Sequence, residues 1–268
     1  KFILLFGFIF ILSCNSAVSQ NTDIEWTAYG RDLYGTRYVP ASGITKDNLG
    51  RLKVAWIYRT GEAKPEYKTR KRASFQATPI VVDGVMYLST PLGRVIALNP
   101  ADGKKIWEFD PKIRRDVTYG DFANRGVSTW LDKKLTKNAV CRRKIFIATA
   151  QSQLIALDSK SGKPCEAFGK KGDVNLRHGL RVPPFEEQAY TFTSPPAVAN
   201  GLIVVGSSIA DNTVPNPASG EVRAFDARTG KLVWSWDPIP QNPKDPAFSE
   251  WRGKLGNKTG GANVWSAI

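Results

Sequence analysis

One peptide unit, written three times with variation, constrains this chain more than any other feature. ALNPADGKKIW begins at Ala97, ALDSKSGKPCEAF at Ala156 and AFDARTGKLVW at Ala224, so successive units lie 59 and 68 residues apart. That is longer than the roughly 40 to 50 residues of common propeller repeats and reads as blades that carry insertions. Each unit is a strand, an Asp-and-Gly turn and a second strand: Val95 to Leu98 alternates into Asp102-Gly103, and Lys105 to Phe109 leaves it. Pro79 to Val82, Asp83-Gly84 and Val85 to Leu88 make another hairpin upstream, so residues 77–110 supply four short strands, one blade. The same order returns at Pro196 to Trp236, with Asn200-Gly201 as its first turn, and no stretch keeps a helical period. About four units are visible, counting one that ends at Trp56 and one that starts near Trp251. The expectation is an all-β propeller of four-stranded antiparallel blades.

The Trp that closes a unit (Trp56, Trp107, Trp234) is expected to lie between adjacent sheets and cover the Gly of the neighbouring turn. The middle unit has Cys165 in place of that Trp, so its junction must pack differently. Open strand edges invite aggregation, so the ring is expected to continue beyond Ile268.

Composition supports a folded chain: 42% of the 268 residues are hydrophobic and 11% aromatic, enough for a substantial core. The net charge of +14 raises the question of a polyanionic partner. Basic residues are scattered through turns, however, and the densest run, Lys68-Thr69-Arg70-Lys71-Arg72, is short and has no nucleic-acid motif around it. It reads as a solvated loop, and nucleic acid is not expected as a partner. His178 lies in a loop with no Ser or Cys nucleophile motif nearby, which argues against a conventional hydrolase and for an exposed or capping imidazole.

Residues 2–13 form an apolar stretch behind Lys1, too short to span a bilayer as a mature helix and suited to a signal-peptide core. Residues 1–20 are therefore read as a leader and 21–268 as a propeller domain truncated at its C-terminus. Ile11-Leu12-Ser13-Cys14 looks like the lipobox of bacterial lipoproteins, which would make Cys14 a lipid anchor; ordinary cleavage near Ala17 to Gln20 is the alternative. Either route delivers the chain to the periplasm. In that oxidising compartment Cys141 and Cys165 either bridge or stay as two reduced, buried thiols.

The opening TAYGRDLYGTRYVPASGITKDNLGRLKVAW (27–56) resembles the N-terminus of dehydrogenases that use pyrroloquinoline quinone (PQQ), especially the glucose, quinate and polyol branch. SFQATPIVVDGVMYLST (74–90), ANRGVS (123–128), TSPPAV (193–198), GSSIADN (206–212) and GGANVW (260–265) follow in that family's order. The resemblance implies an eight-bladed propeller, about half of it present here. The quinone would lie near the axis, stacked on an indole that corresponds to Trp265. Arg125 corresponds to the residue that binds the PQQ carboxylates, and Gln76, Thr193 and Ser208 to its other polar contacts. Asp211 and Asn212 correspond to ligands of a divalent ion, Ca²⁺ or Mg²⁺, held against the quinone oxygens.

In the methanol-type branch, adjacent bridged cysteines stand where this chain has Tyr119 and Gly120, which favours the sugar and polyol branch. The family's catalytic Asp falls beyond Ile268, so these residues are expected to bind cofactor and ion without turning substrate over. The whole protein would oxidise a sugar, polyol or other alcohol and pass electrons to ubiquinone or a cytochrome c. A rival from another class is a non-catalytic propeller lipoprotein of the outer-membrane assembly type. It would share the Trp-bearing blades but would not require Arg125, Asp211 and Trp265 in their motifs.

Overall fold

The computed structural model describes residues 25–69, 72–210, 212–251 and 260–268; the leader-like stretch with Cys14, and Asp211, lie outside them. A short strand β1 (Ala73–Phe75) leads into the first four-stranded sheet, formed by β2 (Ile80–Val82), β3 (Val85–Ser89), β4 (Val95–Leu98) and β5 (Lys105–Phe109). A second leading strand, β6 (Phe122–Asn124), precedes β7 (Ser128–Leu131), β8 (Arg143–Ala148), β9 (Gln153–Asp158) and β10 (Asp173–Asn175). The third sheet follows its own leader β11 (Tyr190–Thr191) and comprises β12 (Ala197–Ala199), β13 (Leu202–Val205), then, after an insertion bearing β14 (Ser208–Ile209) and β15 (Ser219–Gly220), β16 (Val222–Asp226) and β17 (Leu232–Trp236). Strand β18 (Gly261–Asn263) is a fourth leader. All pairings within the three large sheets are antiparallel.

These sheets are the expected propeller blades, and the hairpins fall where the turn chemistry puts them. The count of about four units is met by three complete sheets among the described residues. The stretch ending at Trp56 contributes an indole and a two-bond bridge from Trp26 to Val81.

Alternation along each central strand assigns its two faces to two different neighbours. In β8, Ile145 and Ile147 pack toward Ile80, Val82, Val95 and Ala97 of the first blade, whereas Phe146 and Ala148 pack toward Ile203, Val205 and Phe225 of the third. Strand β9 divides in the same way, Ile155 and Leu157 against Leu154 and Ala156. Side chains two apart share a face, so a strand buried on both faces must be apolar at every position. That is why VIAL and IFIA read as continuous runs rather than as alternating ones.

Trp56 and Trp107 dock as the sequence leads one to expect, whereas Trp234 stands 39% exposed on β17, with no neighbouring blade described beyond it. Trp56 Nε1 donates to the Pro100 carbonyl at 3.0 Å, and Trp107 Nε1 to that of Ser159 at 2.9 Å. The indoles lie so close on the turns that a Cβ at Gly103 would fall 2.6 Å from Trp56, and one at Gly162 2.5 Å from Trp107. Only glycine, which also tolerates the φ of +71° and +70° at these turns, fits. At the third junction Phe168 and Val174 cover Gly230. Cys165, where a Trp was expected, is bridged to Cys141 with a Cα–Cα distance of 5.8 Å. This junction does pack differently, as anticipated.

Each turn is further held by a side chain at the third position of its unit. Asp226 Oδ1 accepts from the amides of Arg228 and Thr229 and from the Thr229 hydroxyl, the last two at 2.7 Å. Asp158 does the same for Lys160 and Ser161, and Asn99 accepts from Ala101 N at 2.9 Å. Burial works to raise the Asp226 carboxyl, but the donors from Thr229 and Arg228 outweigh it and hold it below its ordinary value of 3.8.

Two expectations follow. Trp107→Ala should lower unfolding free energy by about 3–5 kcal/mol in urea titrations, because it empties the junction between two blades. Asp226→Asn copies Asn99 and keeps one acceptor, so it should cost about 1 kcal/mol at pH 7. Since folding depresses the Asp226 pKa, its contribution is complete above 3.8 and is lost as pH falls through the folded value. The gap between parent and variant should therefore close below pH 3.8 in a series of urea titrations.

Candidate functional site

The leading strands place the site. β1 pairs parallel with β6, β15 with β18, and between them Arg125 N donates to Thr193 O at 2.8 Å, so the leaders line up side by side at the inner edges of the blades. Gln76, Arg125, Thr193 and Trp265 each follow the end of one leader, β1, β6, β11 and β18 respectively. Residues far apart in sequence are thereby carried to one end of the row.

Arg125 Nη1 donates to Thr193 Oγ1 at 2.6 Å, and its guanidinium carbon stands 5.2 Å from the centroid of the Trp265 ring. Thr193 and Trp265 line a cleft of about 840 Å³, together with Thr191, Ser208, Asn212 and Asn263. Its outer wall comes from the loops 116–121 and 185–189, among them Tyr119, buried edge-on against Phe122 at 5.2 Å, and the carboxylates Asp121 and Glu186. Trp265 is 54% exposed, so its indole is an open platform rather than a core residue.

The structure thus brings Thr193, Ser208, Asn212 and Trp265 into the lining of one cleft, with Arg125 held against Thr193 and Trp265 but not itself lining it. Gln76 shares their level in the row, but its amide Nε2 turns back to Ser74 Oγ at 3.2 Å and does not line the cleft. Asp211 lies between two cleft residues, Ala210 and Asn212, and outside the described residues. Asn212 Oδ1 accepts from Thr213 Oγ1 at 3.2 Å. Among the described residues no cluster of three or more His, Cys, Asp or Glu side chains could hold a metal. His178 is exposed and its carbonyl accepts from Arg223 at 2.8 Å, far from any nucleophile motif.

Residues missed in the sequence hold the platform in place. Ser194 Oγ donates to the Trp265 carbonyl at 2.6 Å, and Asn263 Nδ2 to the Ser207 carbonyl at the same distance. A Cβ at Gly206 would fall 2.0 Å from the Val264 carbonyl, so the backbones on either side of the cleft floor touch. Ser194 and Asn263 lie in the same short motifs as Thr193 and Trp265, and that proximity was the available signal. Beneath the floor, Tyr190 is fully buried, and burial pushes its phenol well above the ordinary value.

A polar cleft with a half-exposed indole in its lining thus lies at the end of the row of leading strands. A family profile described as glucose/ethanol/alcohol dehydrogenase, beta-propeller domain, matches residues 26–268. The chain is 36% identical over 231 residues to the quinoprotein glucose dehydrogenase of Escherichia coli, covering 85% of this chain and 29% of that protein. It is 35% identical over 246 residues to the glycerol dehydrogenase large subunit of Gluconobacter thailandicus, covering 91% and 32%. Its fold is similar to the quinohemoprotein alcohol dehydrogenase of Comamonas testosteroni, with a TM-score of 0.66 and 28% identity over 91% of this chain and 33% of that one. The chain belongs to the PQQ-dependent dehydrogenase β-propeller family. It spans about a third of the length of the relatives it matches.

Proposed function

We propose that these residues form part of the cofactor and metal site of a dehydrogenase that oxidises a sugar, polyol or other alcohol and delivers the electrons to a quinone or a cytochrome c. The observation that carries this reading is the placement of the Arg125 guanidinium between the Thr193 hydroxyl and the open face of Trp265. A planar ring with three carboxylates needs a flat apolar platform and a fixed cation; Trp265 lines the cleft, and Arg125 stands against it. The substrate class is supported by the relatives named for glucose and glycerol.

When bound, PQQ supplies an electrophilic carbon that accepts hydride from the alcohol. The residues of this chain do the rest of the binding. Arg125 holds a carboxylate through charge-assisted hydrogen bonds, Thr193 and Ser208 donate to ring oxygens, and Trp265 excludes water from one face. Gln76 joins them by turning from Ser74. Asp211 and Asn212 offer the hard oxygen donors that suit Ca²⁺ or Mg²⁺. Export to the periplasm belongs to the same reading; the Cys141–Cys165 bridge supports an oxidising compartment, and Cys14 would add a lipid anchor.

The test is a titration of PQQ with Ca²⁺ into the full chain, followed by quenching of indole fluorescence. The parent should bind saturably. Arg125→Met and Trp265→Ala should each weaken binding about tenfold to a hundredfold, as expected for loss of a charged hydrogen bond or a stacking surface. Absence of saturable binding to the parent, or unchanged affinity in both variants, would overturn the assignment.

A further inference from the structure

A second cavity, of about 1030 Å³, shares no lining residue with the cofactor cleft. It opens among the loop joining β7 to β8, the loop joining β9 to β10 and the turn after β16. The Cys141–Cys165 bridge, Pro164 and Ala167 contribute apolar surface, and Leu135 and Val140 stand beside them, 37% and 78% exposed.

The charges around this apolar lining are unbalanced. Lys144 lines the cavity with only 2% of its surface exposed. Its Nζ donates to the Cys141 carbonyl at 2.9 Å and lies 4.9 Å from the centroid of the Trp130 ring, and it forms no ion pair with a described carboxylate. The nearby acids are already engaged. Both oxygens of Asp132 accept from Arg228, at 2.6 and 2.7 Å, and those of Asp158 accept from the turn amides and from Cys141 N. Lys160, Lys163 and Lys171 are exposed members of the lining, whose one further carboxylate beside Asp132 and Asp158 is Glu166. A buried ammonium without a carboxylate partner is costly, and an anion that reaches it removes that cost.

We infer that this cavity binds a small amphipathic anion, its carboxylate drawn to Lys144 and the lysines at the mouth, its aliphatic body lying on Leu135, Val140, Pro164 and the disulfide. The charge of the mouth and the apolar lining select such a molecule together. The size is that of a small-molecule site. This inference does not depend on PQQ binding.

Calorimetric titration of the full chain with sodium decanoate tests it, with decanol and decyltrimethylammonium as neutral and cationic controls. Decanoate should bind saturably at one site, at least about tenfold more tightly than either control. Val140→Glu changes an exposed wall residue and should weaken decanoate about tenfold or more while leaving PQQ affinity unchanged. Lys144→Met should abolish the preference of decanoate over decanol. The inference is overturned by the absence of saturable decanoate binding, by equal binding of decyltrimethylammonium, or by Val140→Glu and Lys144→Met both binding as the parent does.

Discussion

Everything in this structure depends on sheets being covered on both faces. A four-stranded antiparallel sheet has two faces, and the central strands of the second sheet give one to the first blade and one to the third. The alternation of Ile145 and Ile147 with Phe146 and Ala148 is the local record of that arrangement. Where no further blade is described, at β17, every residue of the strand is exposed, including Trp234 and Trp236. The indole-on-glycine contacts then fix the spacing between blades, because an aromatic ring lies where any side chain on the turn would stand.

The cleft lined by Thr193 and Trp265 is a consequence of this stacking. Blades placed face to face bring their leading segments into a row, and whatever residue follows each leader arrives at the same end of it. Arg125, Thr193 and Trp265 meet for that reason, across separations that no local interaction could bridge. The floor is then tightened by Ser194 and Asn263, which tie the platform segment to the third blade by one hydrogen bond each. The junction that lacks a closing Trp uses other means: Phe168 on the turn glycine, a disulfide beneath it, and the Asp132–Arg228 pair across the blades. That substitution of parts also leaves a second cavity, lined by the disulfide, at the place where it occurs.

Membership of the PQQ-dependent family and the site geometry are independent lines that converge. The family profile covers the described propeller from its first bridge onward. The placement of a cation and hydroxyl groups over an exposed indole is visible without reference to any relative. Their agreement is what makes the proposed chemistry specific to named residues rather than to the fold, since propellers host many functions.

By itself the sequence determined the blade. Its strands and Asp-and-Gly turns are set by interactions within about twenty residues, and its closing aromatics, although they dock 44 and 52 residues away, can be read from spacing and residue type. The cleft motifs were legible too, but as separate words: nothing in ANRGVS or GGANVW says that a guanidinium will stand over an indole 140 positions away. Only the tertiary structure decided that, because the distance between Arg125 and Trp265 is fixed by how two intervening sheets stack. It also decided that Gln76, although level with the others, bonds Ser74, and that Cys141 and Cys165 bridge, an outcome that residue type and export left open. Local chemistry chooses the elements; the packing of whole sheets chooses which of their ends meet.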